Sequence, residues 1–486
     1  MFGYAFKKHL KVFPVQTSFY SEWRLRNGVV SVLHEDRDSP PERLLQAIWQ
    51  HQRLRRDQIK TLDNEPVRVL HPGFQNVEAG PDFRDAVLQI GNGPPRSGDI
   101  EVDLQPSGWR AHGHDRNPAF GNVVLHVVWE SERPASGAPP TVLLRPVLDA
   151  PLGELSLWLG SEAAGELPQT MQGACAPGLR GLPSEALTEL LRQAAQVRLE
   201  SKAARFQARA RQAGWEQSLW EGLFRALGYK NNVWPMQHLA ELRPRWWASG
   251  GDGPAMQARL FGISGLLPIE LPRSGEDDYV RGVWDRWWRE RDAFSDCLVP
   301  RELWRLNGLR PPNHPQRRLA LASCWSADAR LVAKLEQWCG RELACSALAP
   351  SLLEWLEVPR HEFWSWHWTF RSKRLSKPQP LLGASRATDL AVNVILPWLW
   401  IRAVEGQNDP VRQGLERRYF SWPPAQDNSV LRKARRRMLG GASPRGVRNA
   451  ACQQGMTQIV QDYCSHSNAL CENCRFPELV REFRAQ

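Results

Sequence analysis

Every segment of this 486-residue chain that alternates like a strand falls between Val67 and Val147, and that confinement limits the architecture more than any other feature. Val67-Arg-Val-Leu, Asp85-Ala-Val-Leu-Gln-Ile, Asp99-Ile-Glu-Val-Asp-Leu, Asn122-Val-Val-Leu-His-Val-Val-Trp and Thr141-Val-Leu-Leu-Arg-Pro-Val are rich in β-branched residues and separated by Gly and Pro. Ahead of them, Pro41-Glu-Arg-Leu-Leu-Gln-Ala-Ile-Trp begins a helix. Pro and Glu suit a first turn, and Leu44, Leu45 and Ile48 share one face. One helix on a mixed, mainly antiparallel sheet is an α+β core, expected over 41–177. Beyond 178 the pattern is helical: Glu185 to Ala213 in one long run, then 216–228, 254–262, 280–293, 316–340 and 388–405. The 23 tryptophans point to large packed helical interfaces in that all-α region, taken as 178–440. Residues 1–40 read as an N-terminal extension and 441–486 as a Cys-bearing tail.

A formal charge of +11 favours polyanionic partners, nucleic acid among them. Two basic features could meet phosphate. Arg198, Lys202, Arg205 and Arg209 share one face of the long helix. Arg432, Lys433, Arg435, Arg436 and Arg437 form a patch near Phe420 and Trp422, whose rings could stack on bases. The plainer reading of both is a solvated basic helix face. The residues after Gly440 read as a flexible connection. No apolar run approaches the ~18 residues of a membrane span, and Met1-Phe-Gly-Tyr-Ala-Phe-Lys-Lys lacks a secretory pattern. Nine cysteines, an odd number with five scattered, fit reduced thiols in the cytoplasm.

His71-Pro-Gly, Asn76-Val-Glu-Ala-Gly-Pro-Asp-Phe, Gly98-Asp-Ile-Glu-Val-Asp, Trp109-Arg-Ala-His-Gly-His-Asp and Asn122-Val-Val-Leu-His-Val-Val together resemble the bacterial domain-of-unknown-function family 2851. Leu227-Gly-Tyr-Lys-Asn-Asn, Leu260-Phe-Gly-Ile-Ser-Gly-Leu-Leu, Arg310-Pro-Pro-Asn-His-Pro, Asn393-Val-Ile-Leu-Pro and the terminal Tyr463-Cys with its Cys-x-x-Cys extend the resemblance over most of the chain. The family implies no activity, so function has to be argued from side chains.

Glu42 on a helix, Asp82 before a strand and Glu101-x-Asp103 on the next strand follow the order of PD-(D/E)xK nucleases. That resemblance implies a restriction-endonuclease-like core and a metal-dependent phosphodiester hydrolase acting on DNA or RNA. Carboxylates of this kind hold Mg²⁺ or Mn²⁺, which stabilises developing charge. Residues 101 and 103 project from one face of their strand. A tight turn at Gly91-Asn92 would set Asp82 opposite Glu101, whereas a turn nearer Pro94-Pro95 would separate them. The motif's lysine is Asp103 here, which leaves His112, His114 or His126 to assist proton transfer or ligation, or Lys60 to supply the cation. The histidines also suit Zn²⁺, Mn²⁺ or Fe²⁺. The alternative is a catalytically inactive nucleic-acid-binding or scaffold protein.

Cys464-x6-Cys471-x2-Cys474 resembles three of the four ligands of the iron–sulfur loop in endonuclease-III-like glycosylases. The fourth cysteine of that loop is absent. Cys452 or His466 would complete a Zn²⁺ or iron–sulfur site, and ordinary thiols on a terminal helix are the competing reading.

Overall fold

The computed structural model describes residues 17–27, 39–76, 79–130, 137–159, 172–229, 231–248, 252–270, 278–440, 449–464 and 471–485. The first residues, the connection after Gly440 and His466 lie outside them.

Two helices precede the sheet, α1 (Phe19–Arg26) and α2 (Glu42–Gln50). The sheet has six strands: β1 (Val67–His71), β2 (Phe74–Gln75), β3 (Phe83–Ile90), β4 (Arg96–Asp103), β5 (Val123–Val128) and β6 (Thr141–Leu143). Their spatial order is β1-β3-β4-β5-β6, with β2 on β3. The first pairings are antiparallel, but β5 runs parallel to β4 and β6 parallel to β5. The sheet is therefore more evenly mixed than its alternation suggested, because residues 104–122 cross back over one face instead of forming a hairpin. A parallel pair needs such a crossover. Here it consists of a short helix, α3 (Gly108–Ala111), and two 3₁₀ turns.

The register of β3 on β4 changes along its length. Leu88 faces Arg96 and Ala86 faces Gly98, but Phe83 faces Ile100. An extra residue at Arg84-Asp85 absorbs the shift, with Asp85 at φ 55°. Without this bulge Asp82 would fall opposite Val102. With it, Asp82 comes opposite Glu101, the outcome expected of the tighter turn.

The apolar face of α2 carries Leu44, Leu45, Ile48 and Trp49, all buried against the sheet with Val69, Ile100, Val102 and Leu125. Trp49 donates its indole N–H to the Pro72 carbonyl at 2.9 Å, so the ring is buried without an orphaned donor. That bond fixes α2 across the sheet and points Glu42 and Gln46, one turn apart, at the end of β4.

The helical region builds two further cores. The larger holds Trp220, Trp246, Trp325, Trp338, Trp364, Trp398, Trp400 and Trp422. Their role as packing residues follows the expectation, and Trp246, Trp325 and Trp398 donate to backbone carbonyls at 2.9–3.0 Å. The run expected over 316–340 is two helices, Pro315–Ala327 and Leu331–Gly340, broken at Asp328. Residues 384–405 form a continuous apolar rod with a π-helical turn at Ala391–Ile395. By length and composition the rod could cross a membrane, contrary to the reading that no run comes close. However, 78% of its most apolar window is buried inside the protein.

The second core joins the two ends of the sequence. α1 packs on the long helix α4 (Ser184–Ala213), with α5 (Ser429–Leu439), α6 (Ala450–Asp462) and α7 (Phe476–Arg484) closing around it. Arg24 pairs with Asp462 at 2.9 Å and Tyr20 donates to the same carboxylate at 2.7 Å, all of them buried. The described part of the N-terminal extension is thus core, and the Cys-bearing segment is packed against it.

Candidate acid–histidine site

Four elements converge at the end of β4. Glu101 and Asp103 lie on one face of that strand, both buried. Asp82 arrives from the start of β3 across the bulge. Its backbone N–H donates to Glu101 Oε2 at 3.2 Å, and its own Oδ2 accepts from Val102 N–H at 3.0 Å. Gln46 of α2 donates to Asp82 Oδ1 at 2.8 Å and to Glu42 Oε1 at 3.1 Å, which ties the helix carboxyl to the sheet carboxyl. His126, level with Glu101 in the parallel register, is fully buried and meets Asp103 Oδ2 through Nε2 at 2.9 Å.

The crossover supplies the other two histidines. His112 Nδ1 lies 3.2 Å from Asp103 Oδ1, with its ring facing solvent. Gly113, at φ 72°, then reverses the chain so that His114 points inward. There the imidazole stacks on Phe120 with centroids 4.0 Å apart and takes the edge of Trp109. His114 Nδ1 sits 3.6 Å from Glu101 Oε1 and makes no hydrogen bond, although it is buried. Gly108 lets the crossover lie directly on the acid: an added Cβ would come 2.8 Å from Asp103 Cγ.

The electrostatics follow from burying like charges together. Burial raises the Asp82 carboxyl to about 7, with Glu42 and Asp103 adding to the effect and the Val102 N–H opposing it. Glu101 is pushed up to about 9, chiefly by burial and then by Asp82 and Asp103. Glu42 stands at the rim, and its carboxyl is also raised, by lost solvation and by Asp103. Burial lowers the His114 imidazole, which favours the neutral, ligand-competent form. No basic side chain is among the groups that act most strongly on Asp82 or Glu101. Lys60 does not supply one; it is exposed, on a bridge to Pro66.

The donor set fits a divalent cation. Among the described residues, Asp103, His112 and His114 form the group whose ligand atoms lie within 4.8 Å of one another. Glu101 stands beside them, and the unbonded His114 nitrogen is the kind of buried atom that a cation would satisfy. Two imidazoles with carboxylates suit Mn²⁺, Fe²⁺ or Zn²⁺ better than Mg²⁺.

The remaining predicted residues divide. Arg437 is buried and Arg435 pairs with Asp427 at 2.5 Å, so neither belongs to a free basic surface. Arg432 and Arg436 are exposed and Lys433 is half-buried. The stripe on α4 is half-buried and largely engaged by neighbouring side chains. Arg198 donates to Gln454 and Gln461, Lys202 to Asn393 and Gln454, and Arg209 pairs with Glu221 at 2.8 Å. Lys202, Arg205 and Arg209 line a partly open pocket of about 460 Å³ between α4, the core and the 384–405 rod. Cys474 shares a turn with Cys471 and packs with Cys464 in the second core, whereas Cys452 lies at the far end of α6. Sequence reasoning missed Gln46, whose only signal was its place one turn after Glu42, and also Gly108 and the Trp109–Phe120 clamp.

Fold and site together define an α+β core with a buried acid–histidine cluster, joined to a tryptophan-rich helical region. The chain belongs to the family described as protein of unknown function (DUF2851), which matches residues 42–427. No curated protein and no solved structure matches it.

Proposed function

We propose that the protein is a metal-dependent phosphodiester hydrolase acting on DNA or RNA, with its site at the end of β4. The observation that carries this reading is the convergence of Glu42, Asp82, Glu101 and Asp103 with three imidazoles on a sheet whose order is antiparallel, antiparallel, then parallel. Asp103, His112 and His114, with Glu101 beside them, would hold a divalent cation, Mn²⁺ before Mg²⁺. Such an ion supplies charge stabilisation to a phosphoryl group. His126 positions Asp103 from behind and Gln46 positions Asp82. Arg43, Arg110 and Arg116 are exposed neighbours of the site residues and would meet a polyanion.

The second reading, a catalytically silent nucleic-acid-binding or scaffold protein, draws on one specific feature. The position of the nuclease lysine is Asp103, held by His112 and His126. Cleavage of single- and double-stranded DNA and RNA with Mn²⁺ or Mg²⁺ separates the two. Activity should vanish in Glu101→Ala and fall ~10–100-fold in His126→Asn, the usual cost of losing a group that orients a ligand. No cleavage by wild type, with salt-sensitive binding intact in both variants, would leave the binding reading.

A further inference from the structure

The three terminal cysteines gain a fourth that the spacing of the tail does not reveal. Cys175 lies almost three hundred residues earlier in the chain, at the start of the short helix Ala176–Arg180, which packs on α5 and α7. Gly173 N–H donates to the Arg437 carbonyl at 2.8 Å, and this fixes the strand of chain that carries Cys175 to α5. Gly173 also permits the close approach: a Cβ there would sit 3.2 Å from Arg437 Cγ and 3.5 Å from Cys175 Sγ. Cys464 follows the end of α6. Cys471 and Cys474 share a tight turn in which Cys474 N–H donates to the Cys471 carbonyl at 3.2 Å, with Cys471 and Asn473 both in the left-handed region. Arg437, which lies against Gly173 and so beside Cys175, reaches Cys471 Sγ at 3.0 Å, while Cys175, Cys464 and Cys474 pack in one core cluster, so the four thiols gather around this arginine.

Cys452 is not one of this set. It opens α6 and Cys464 lies just beyond the other end, twelve residues on. At 1.5 Å of rise per residue that is about 18 Å, far beyond any shared metal centre.

Two features identify what the thiols would hold. The first is a cation among them. The Arg437 guanidinium is buried, donates to Cys471 Sγ at 3.0 Å and also bonds the Cys464 thiol. A buried guanidinium beside four thiols is suited to an anionic centre built on thiolates. The second is spacing. A tetrahedral Zn²⁺ with Zn–S bonds near 2.3 Å sets its sulfurs about 3.8 Å apart. Among the described residues no three cysteines lie within 4.8 Å of one another. The thiols are therefore not drawn into a zinc tetrahedron, and their arrangement leaves room for a cluster in which each thiolate binds a different iron. Trp23, Leu179, Tyr463 and Phe476 pack in the second core with buried Cys175 and Cys464, while Cys471 and Cys474 stand half-buried at its edge.

We infer that Cys175, Cys464, Cys471 and Cys474 hold a [4Fe–4S] cluster, with Arg437 as its hydrogen-bonding counter-cation. The centre ties the start of the helical region to the end of α6 and the terminal turn that soon follows it. It stands independently of the acid–histidine site.

The test is metal and sulfide analysis of the full chain purified without oxygen, with visible absorbance read before and after dithionite. Wild type should carry about four irons and four labile sulfides per chain, and its colour should bleach on reduction. Cys452→Ser should keep that iron and Cys175→Ser should lose most of it. If Cys175→Ser does not fold, the iron content of wild type and Cys452→Ser still decides. About one zinc per chain without sulfide, no bound metal, or iron lost in Cys452→Ser but kept in Cys175→Ser would each overturn the inference.

Discussion

The sharpest consequence of the acid cluster is that cation binding must expel protons, in a number that falls as pH rises. Glu101 at about 9 is essentially protonated at pH 7, and Asp82 at about 7 is half protonated. A divalent ion beside them reverses the preference and favours both charged forms. Binding should then release about 1.5 protons at pH 7 and about 0.5 at pH 9, where only Glu101 still holds a share. The two carboxyls interact, so these figures describe the pair rather than either residue. Integrated over that range, the affinity for Mn²⁺ should rise about 100-fold between pH 7 and pH 9. Calorimetry in buffers of different ionisation enthalpy reads the proton count directly. In Asp82→Asn the release at pH 7 should drop towards one proton. Binding that released no protons, or an affinity that rose less than about threefold over the same range, would refute the placement of the cation beside Glu101.

Glu200, fully buried on α4, accepts from Gln196 at 2.8 Å, and burial raises its carboxyl to about 8. A raised folded-state value means that its share of stability is complete below the unfolded carboxyl range and is lost as pH rises through 8. Glu200→Gln should therefore raise the melting temperature at pH 9 and change it little at pH 5; an equal shift at both would refute the assignment. Gly455 marks the closest approach of α6 to α4, where an added Cβ would fall on the Leu191 carbonyl oxygen. Gly455→Ala should lower stability by about 1–3 kcal/mol in denaturant titration despite alanine's better helix propensity, and a gain would show that the helices can part freely.

Much of the architecture was legible because it rests on periodicity. The strands between Val67 and Leu143 and the long helix ending at Ala213 write their burial into local spacing. So do the carboxylates: Glu101 and Asp103 had to share a face because strand side chains alternate. Less local features were not legible. The bulge at Asp85 decides which residue Asp82 meets, and nothing in its immediate sequence announces a left-handed aspartate. The stripe from Arg198 to Arg209 looked like a solvated face because a helical repeat records which residues align, not what lies against them. Arg437 gave the same false signal within a basic run.

By itself, then, the sequence determined the α+β core, the helical region, the family and the residue types of both clusters, since each depends on contacts a few residues long or on motifs. Only the tertiary structure decided that β5 runs parallel to β4, which brings His126 behind Asp103. It alone joined Tyr20 and Arg24 to Asp462 across the whole chain. It alone set Cys175 beside Arg437 and the terminal thiols, with Cys452 left at the far end of α6. The physical reason is the same in each case. Pairings between residues far apart in sequence are fixed by how whole elements pack, and packing leaves no periodic trace in either partner.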